Sequence, residues 1–170
     1  MKGIYLCAFK ALHPNTDLIY QDKFEKRDLM GDCLEIDLTA YDYIIATPPC
    51  NYWSRANYRR NRSYYAISTM HLLPCLIYKL KRINKPFIIE NVRNDSMFNK
   101  FKIYELANGL NIYKYGRHTY FTNVNLTLDG VTQIQEKIQN TAQSKREGGV
   151  NVKNVIDKFL KTIGAFNYDK

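Results

Sequence analysis

Apolar residues in this chain fall into short unbroken runs that alternate with stretches of helical spacing. Residues 3–9 (GIYLCAF) predict a first strand, and residues 18–20 a second, short one. Tyr43–Ala46 (YIIA) predicts a buried strand stopped by Thr47-Pro48-Pro49, because proline cannot donate to a ladder. Residues 64–82 place Ala66, Met70, Leu73, Ile77 and Leu80 at helical spacing, with Lys79, Lys81 and Arg82 near the end where cations suit the dipole. Pro74 inside that stretch predicts a kink or two shorter helices. Residues 86–90 (PFIIE) predict another buried strand. Residues 101–107 predict a short helix, with Gly109 near its end as a cap. Residues 110–123 read as extended, and polar residues 133–149 as loop or mobile helix. Val152, Val155, Ile156, Phe159, Leu160 and Ile163 form one stripe that predicts a final helix ended by Gly164. Strands alternating with helices predict an α/β class.

Size and charge narrow the class. The 170 residues suit one domain spanning 1–170, and 45% hydrophobic content is enough for a packed core. The net charge is +9 and 14 residues are tyrosine. A basic, tyrosine-rich chain predicts a polyanion partner, nucleic acid first among them; a lysine-rich solvated surface is the plain alternative. The longest apolar run, residues 72–78, is far short of the ~20 residues of a membrane helix, and the short N-terminal run broken at Lys10 is not a signal peptide. Cys7, Cys33, Cys50 and Cys75 are scattered with no C-x-x-C pair, so neither a metal knuckle nor a disulfide framework is expected. A reduced compartment follows, hence a cytoplasmic localisation.

Three segments bring polar residues to the ends of predicted strands: Thr47 to Ser54 (TPPCNYWS), Glu90-Asn91-Val92, and Gly116 to Phe121 (GRHTYF). The carboxyl ends of strands are where open α/β sheets bind ligands. A cysteine after two prolines is held on a rigid turn, as a positioned nucleophile requires. On position alone Cys50 reads first as a small buried hydrophobe, Glu90 as a strand-end residue and Arg117 as a surface cation.

Taken in order, the three segments resemble the DNA cytosine-5 methyltransferase family, and in particular its short phage-type members. Pro48-Pro49-Cys50-Asn51-Tyr52-Trp53-Ser54 is similar to the family's nucleophile motif, and Glu90-Asn91-Val92 to its Glu-Asn-Val motif. Arg117 matches the first arginine of its Arg-x-Arg element, with Thr119 at the second. Gly31-Asp32-Cys33 resembles the acidic motif that precedes the nucleophile strand. The resemblance spans roughly residues 18 to 125. It implies a trimmed Rossmann-like methyltransferase sheet with helices on both faces. It implies catalytic roles for Cys50, Glu90 and Arg117, S-adenosylmethionine held by Asp22, Asp32 and Pro48, and DNA held by Asn51, Trp53 and Ser54.

The implied chemistry suits these residue types. Carbon 5 of cytosine is a poor nucleophile until a thiolate adds to carbon 6, and an acid must neutralise N3 as charge builds there. The target base must leave the stack, which costs a few kcal/mol. Arg55, Arg59, Arg60 and Arg62 lie within eight residues of one another after the cysteine, beside Trp53 and Tyr58. Arginine forks suit phosphates and aromatics stack on bases; a solvated loop is the plain alternative. Two departures stand out. The turn after the first strand reads Cys7-Ala8-Phe9-Lys10, without the glycines that bring backbone close to the cofactor. The stretch between Asn123 and Val150 is too short for a separate target-recognition domain. Three readings follow: a methyltransferase-type enzyme acting through Cys50; a relative that kept base handling and lost cofactor-dependent transfer, acting as a decoy, a regulator, a subunit needing a second chain, or an enzyme of other base chemistry; and a basic interaction module.

Overall fold

The computed structural model describes residues 1–7, 18–23, 28–126 and 142–165, with side chains given for all of these except 142–151. Seven strands form one mixed sheet: β1 Gly3–Leu6, β2 Leu18–Asp22, β3 Leu29–Met30, β4 Tyr43–Ala46, β5 Phe87–Val92, β6 Asn111–Tyr115 and β7 His118–Thr122. Their spatial order is β3-β2-β1-β4-β5-β7-β6. The first five run parallel, while β7 lies antiparallel between β5 and β6. The chain moves outward in one direction from β1 to β3 and in the other from β4 to β5. The strand order therefore reverses between β1 and β4, the switch point at which such sheets open a crevice.

Side-chain alternation sorts the core into two layers. Ile4, Leu6, Ile44, Ala46 and Ile89 face one way, against helices α1 Tyr64–Thr69, α2 Leu72–Leu80, α3 Asp95–Lys100 and α4 Ile103–Leu106. Tyr5, Tyr43, Ile45, Ile88 and Tyr120 face the other way, against Val155, Ile156, Phe159 and Leu160 of helix α5 Ala142–Thr162. The expected trimmed Rossmann-like sheet with helices on both faces is thus the one found. The trimming is visible between β3 and β4, where residues 31–42 form turns in place of a helix. Gly3 is obligatory for packing, since a Cβ there would lie 2.2 Å from the buried Tyr43 ring.

Several boundaries differ from the sequence pattern. β1 stops at Leu6, because Cys7 turns left-handed with φ 56°; residues 8–9 lie outside the described residues. Pro74 does split the predicted helix, and the break falls upstream at Met70-His71. Pro74 then sits in the first turn of α2, where its missing N–H breaks no helical bond. The extended stretch 110–123 resolves into a hairpin with Gly116 (φ 58°) and Arg117 as its two-residue loop, the position a glycine-first tight turn demands. Helix α3 and the two-residue β3 carried no periodic signal. Asn94 starts α3 by accepting from the Met97 N–H at 3.4 Å. Helix α5 begins at Ala142, ten residues before the apolar stripe, and runs through Gly148 and Gly149; residues 133–141 of the predicted polar stretch are outside the described residues.

Candidate active site

Cys50 lies four residues beyond β4 on a segment that neighbouring strands hold in place. The side chain of Asn91, on β5, is buried and donates through Nδ2 to the Pro48 carbonyl at 3.0 Å. Its Oδ1 accepts from the Val92 amide, so the buried amide is satisfied on both sides. Thr47 Oγ1 donates to the Cys7 carbonyl at 3.1 Å, tying β4 to β1. The Ser54 amide donates to the Cys50 carbonyl at 2.8 Å and closes a turn directly after the thiol. The prolines fix their own φ angles, and these three bridges fix the rest.

Glu90 pairs across the sheet with Tyr120, and its Oε1 meets Nδ1 of His118, two residues away along β7. Both groups are partly buried. Burial pushes the Cys50 thiol up from its ordinary range, and the negative charge of Glu90 adds to the rise. The same charge adds to the upward shifts of Tyr5 and Tyr120, whose first cause is burial. Thiol and carboxyl therefore share one corner of the sheet. Two adjacent anions repel, so the Glu90 charge disfavours a Cys50 thiolate. The Tyr120 hydroxyl is buried in the same corner with no hydrogen-bond partner among the described residues. Arg117 stands at the hairpin tip, and its carbonyl accepts from the Arg93 amide at 2.7 Å. This contact places the tip beside the carboxyl end of β5.

The other side of the switch point is built differently. The Cys7 amide donates to Gln21 Oε1 at 3.0 Å. The Cys7 thiol hydrogen-bonds to Cys33, which pushes Cys7 up and Cys33 down. Asp32 accepts from the Leu34 amide at 3.0 Å and meets Lys23 Nζ at 3.1 Å; the amide first, and Lys23 with it, holds the carboxyl below its usual range. Asp22 ends β2 and Pro48 is buried beneath the Asn91 bridge. A left-handed residue other than glycine is costly, by roughly 1–2 kcal/mol, and its side chain stands where a close backbone approach needs none. The described residues do not make the glycine cradle that S-adenosylmethionine implies.

The arginine segment divides into inward and outward members. Trp53, expected against DNA, is only 1% exposed and packs edge-on to Tyr52, Phe98 and Phe101. Asn94 Nδ2 donates to its carbonyl at 2.7 Å. Trp53 thus supports the segment from beneath, because a large ring following the turn finds an aromatic floor in α3. Arg60, also expected on DNA, turns back: its Nε donates to the Asn57 carbonyl at 3.0 Å and a terminal nitrogen to the Ser54 carbonyl at 2.7 Å. Asn51, Arg55, Arg59 and Arg62 are exposed and Ser54 is half-buried.

Two neighbours of the site escaped the sequence pattern. His118 needed the β5–β7 register, which no local periodicity carries; the Gly-Arg turn was the available signal for the β6–β7 half alone. Tyr65, at the start of α1, is shifted upward by burial first and then by Asp22, Cys7 and Cys50. Among the described residues no group of three or more His, Cys, Asp or Glu side chains could hold a metal ion, and no helix is long and apolar enough to cross a membrane. No family model and no curated protein matches the chain.

Proposed function

We propose that this chain is a DNA-acting enzyme of the cytosine-5 methyltransferase type, in which Cys50 adds to carbon 6 of a flipped cytosine. The observation that carries the reading is the convergence of Cys50 with the Glu90–His118 pair at the carboxyl ends of adjacent strands. The Cys50 thiolate forms the S–C6 bond. The π pair of C5=C6 is displaced through the ring as Glu90 delivers a proton to N3. The product is an enamine, nucleophilic at C5. C5 takes an electrophile, and in water alone that electrophile is a proton. Loss of the original C5 proton to solvent and expulsion of the Cys50 thiolate restore the ring, and N3 returns its proton to Glu90. The net change is exchange of the C5 hydrogen. His118 holds the Glu90 carboxyl in place, and Arg117 at the hairpin tip helps hold the flipped base and its backbone.

S-adenosylmethionine is the methyl source that the resemblance implies. The Cys7 side chain at the end of β1 favours a second reading, in which base handling persists and methyl transfer is lost or requires a second subunit. One experiment addresses both readings. An oligonucleotide carrying 2-pyrimidinone, which accepts thiols readily at carbon 6, is incubated with the protein and the intact mass is measured under denaturing conditions. Wild type should gain the mass of one oligonucleotide, and Cys50→Ser should not. An unmodified wild type, or equal modification of both, removes the Cys50 reading. Adduct formation without methylation when S-adenosylmethionine is supplied supports the second reading over the first.

A further inference from the structure

The surface that follows Cys50 is unusual in both its aromatics and its charge. Tyr58 and Tyr64 are 81% and 87% exposed, more than any other large hydrophobic side chain among the described residues. Tyr65, 42% exposed, continues the strip into the first turn of α1. No acidic residue occurs between Asp42 and Glu90. Several cations in that span are turned inward. Lys79, Lys81 and Lys85 donate to backbone carbonyls, as Arg60 does, and Arg82 lies 3.7 Å from the Tyr78 ring. Arg55, Arg59 and Arg62 are the exceptions. They are exposed, and their guanidinium nitrogens meet no carbonyl or carboxylate among the described residues. Arg59 rests 5.3 Å from the Tyr58 ring, so cation and aromatic share one spot.

The strip is also held rigidly. Asn57 Nδ2 donates to the Asn51 carbonyl at 2.9 Å, Arg60 staples Ser54 to Asn57, and Ser63 Oγ accepts from the Ala66 amide at the start of α1. Buried Trp53 anchors it below. Exposed rings on a rigid loop bind without an ordering cost.

We propose that this strip binds single-stranded nucleic acid, with Tyr58 and Tyr64 as stacking platforms for unpaired bases and Arg55, Arg59 and Arg62 on the phosphates. The inference rests on the reading of Cys50 as a base-handling nucleophile, to which the strip delivers its strand past Tyr65. Charge complementarity selects a polyanion, and open ring faces select bases that are not already stacked on one another. In a duplex those faces are occupied, and two exposed tyrosines would find nothing to stack on.

The test is fluorescence anisotropy with labelled 12-nucleotide DNA and RNA single strands, the matching DNA duplex and a polyglutamate peptide of equal charge, over a range of salt. A single strand should bind at least tenfold tighter than the duplex or the peptide, and the DNA and RNA arms identify which strand. Tyr58→Ala and Tyr64→Ala should each weaken binding by about 5- to 150-fold with little change in salt slope, and the Phe variants should bind as wild type does. Arg55→Ala, Arg59→Ala and Arg62→Ala together should flatten the slope by about 0.7 per phosphate contact. Equal or tighter duplex or peptide binding, or Ala variants that bind like wild type, overturns the proposal. Cys50→Ser separates the two readings. Strip-dependent binding without any Cys50 adduct condemns the nucleophile alone, and an adduct that is indifferent to Tyr58 and Tyr64 condemns the strip alone.

Discussion

At the carboxyl ends of β4 and β5, side chains of one strand hold the backbone of the next. Asn91 holds Pro48, Asn94 holds Trp53, and Trp53 fills an aromatic floor. At the ends of β1 and β2 the buried Gln21 accepts from the Cys7 amide and donates to the Gly31 carbonyl, and the remaining described contacts are thiols and surface charge: Cys7 on Cys33, Lys23 on Asp32, and a left-handed Cys7 in place of a glycine. The first arrangement fixes the Cys50 segment to within the play of a buried amide. Among the described residues each half is braced by a buried amide, Asn91 in one and Gln21 in the other, and the β4–β5 half adds an aromatic support beneath the braced segment.

The contrast can be broken most forcefully at Trp53. Trp53→Ala removes the ring on which the Cys50 segment rests and should destabilise the fold by about 3–5 kcal/mol, read as a lower urea midpoint. A loss under about 1 kcal/mol would make Trp53 a surface ring after all.

Electrostatics gives a second, smaller effect. Alkylation of Cys50 by iodoacetamide needs the thiolate, so its rate rises with pH. Burial and the Glu90 charge both push the thiol up, which places that rise above the range of a free cysteine, about 8.5. Glu90→Gln removes one of these two causes. The Cys50 titration should then move to lower pH and alkylation at pH 8 should speed up, measured by mass spectrometry of the Cys50 peptide. An unchanged or slower rate would mean that Glu90 does not face the thiol.

The β1 end should respond least. Cys7→Gly relieves a left-handed side chain, worth about 1 kcal/mol, and loses the contact with Cys33. The two nearly cancel, so stability should stay within about 1 kcal/mol of wild type in the same urea assay. The variant also sharpens the comparison: if the Cys7 side chain closes the crevice, S-adenosylmethionine should give a larger calorimetric heat with Cys7→Gly than with wild type. Equal heats would place the obstruction elsewhere.

Local pattern made the parallel strands and the split helix legible. Tyr43–Ala46 is four apolar residues stopped by Thr47 and two prolines, and Pro74 announces a break that falls just upstream of it, at Met70-His71. It also made Cys50 and Glu90 legible as strand-end residues. It left out what depends on strands distant in sequence. His118 meets Glu90 only because β7 inserts antiparallel between β5 and β6, a pairing set by tertiary packing. It could not tell Trp53 from Tyr58, or Arg60 from Arg59, since burial separates them and composition does not. Helix α3 begins on a capping asparagine, Asn94, in a stretch that carries no periodic signal.

The claim that Cys50 and Glu90 act together on a pyrimidine is tested most directly by hydrogen exchange at carbon 5. A cytosine-containing oligonucleotide, single-stranded and duplex, is incubated with the protein in D2O without methyl donor, digested to nucleosides and weighed. Adduct formation at carbon 6 makes carbon 5 basic, so wild type should add one mass unit to deoxycytidine. Cys50→Ser should add none, and Glu90→Gln far less than wild type. Exchange that persists in Cys50→Ser, or no exchange by wild type on either substrate, would contradict the account.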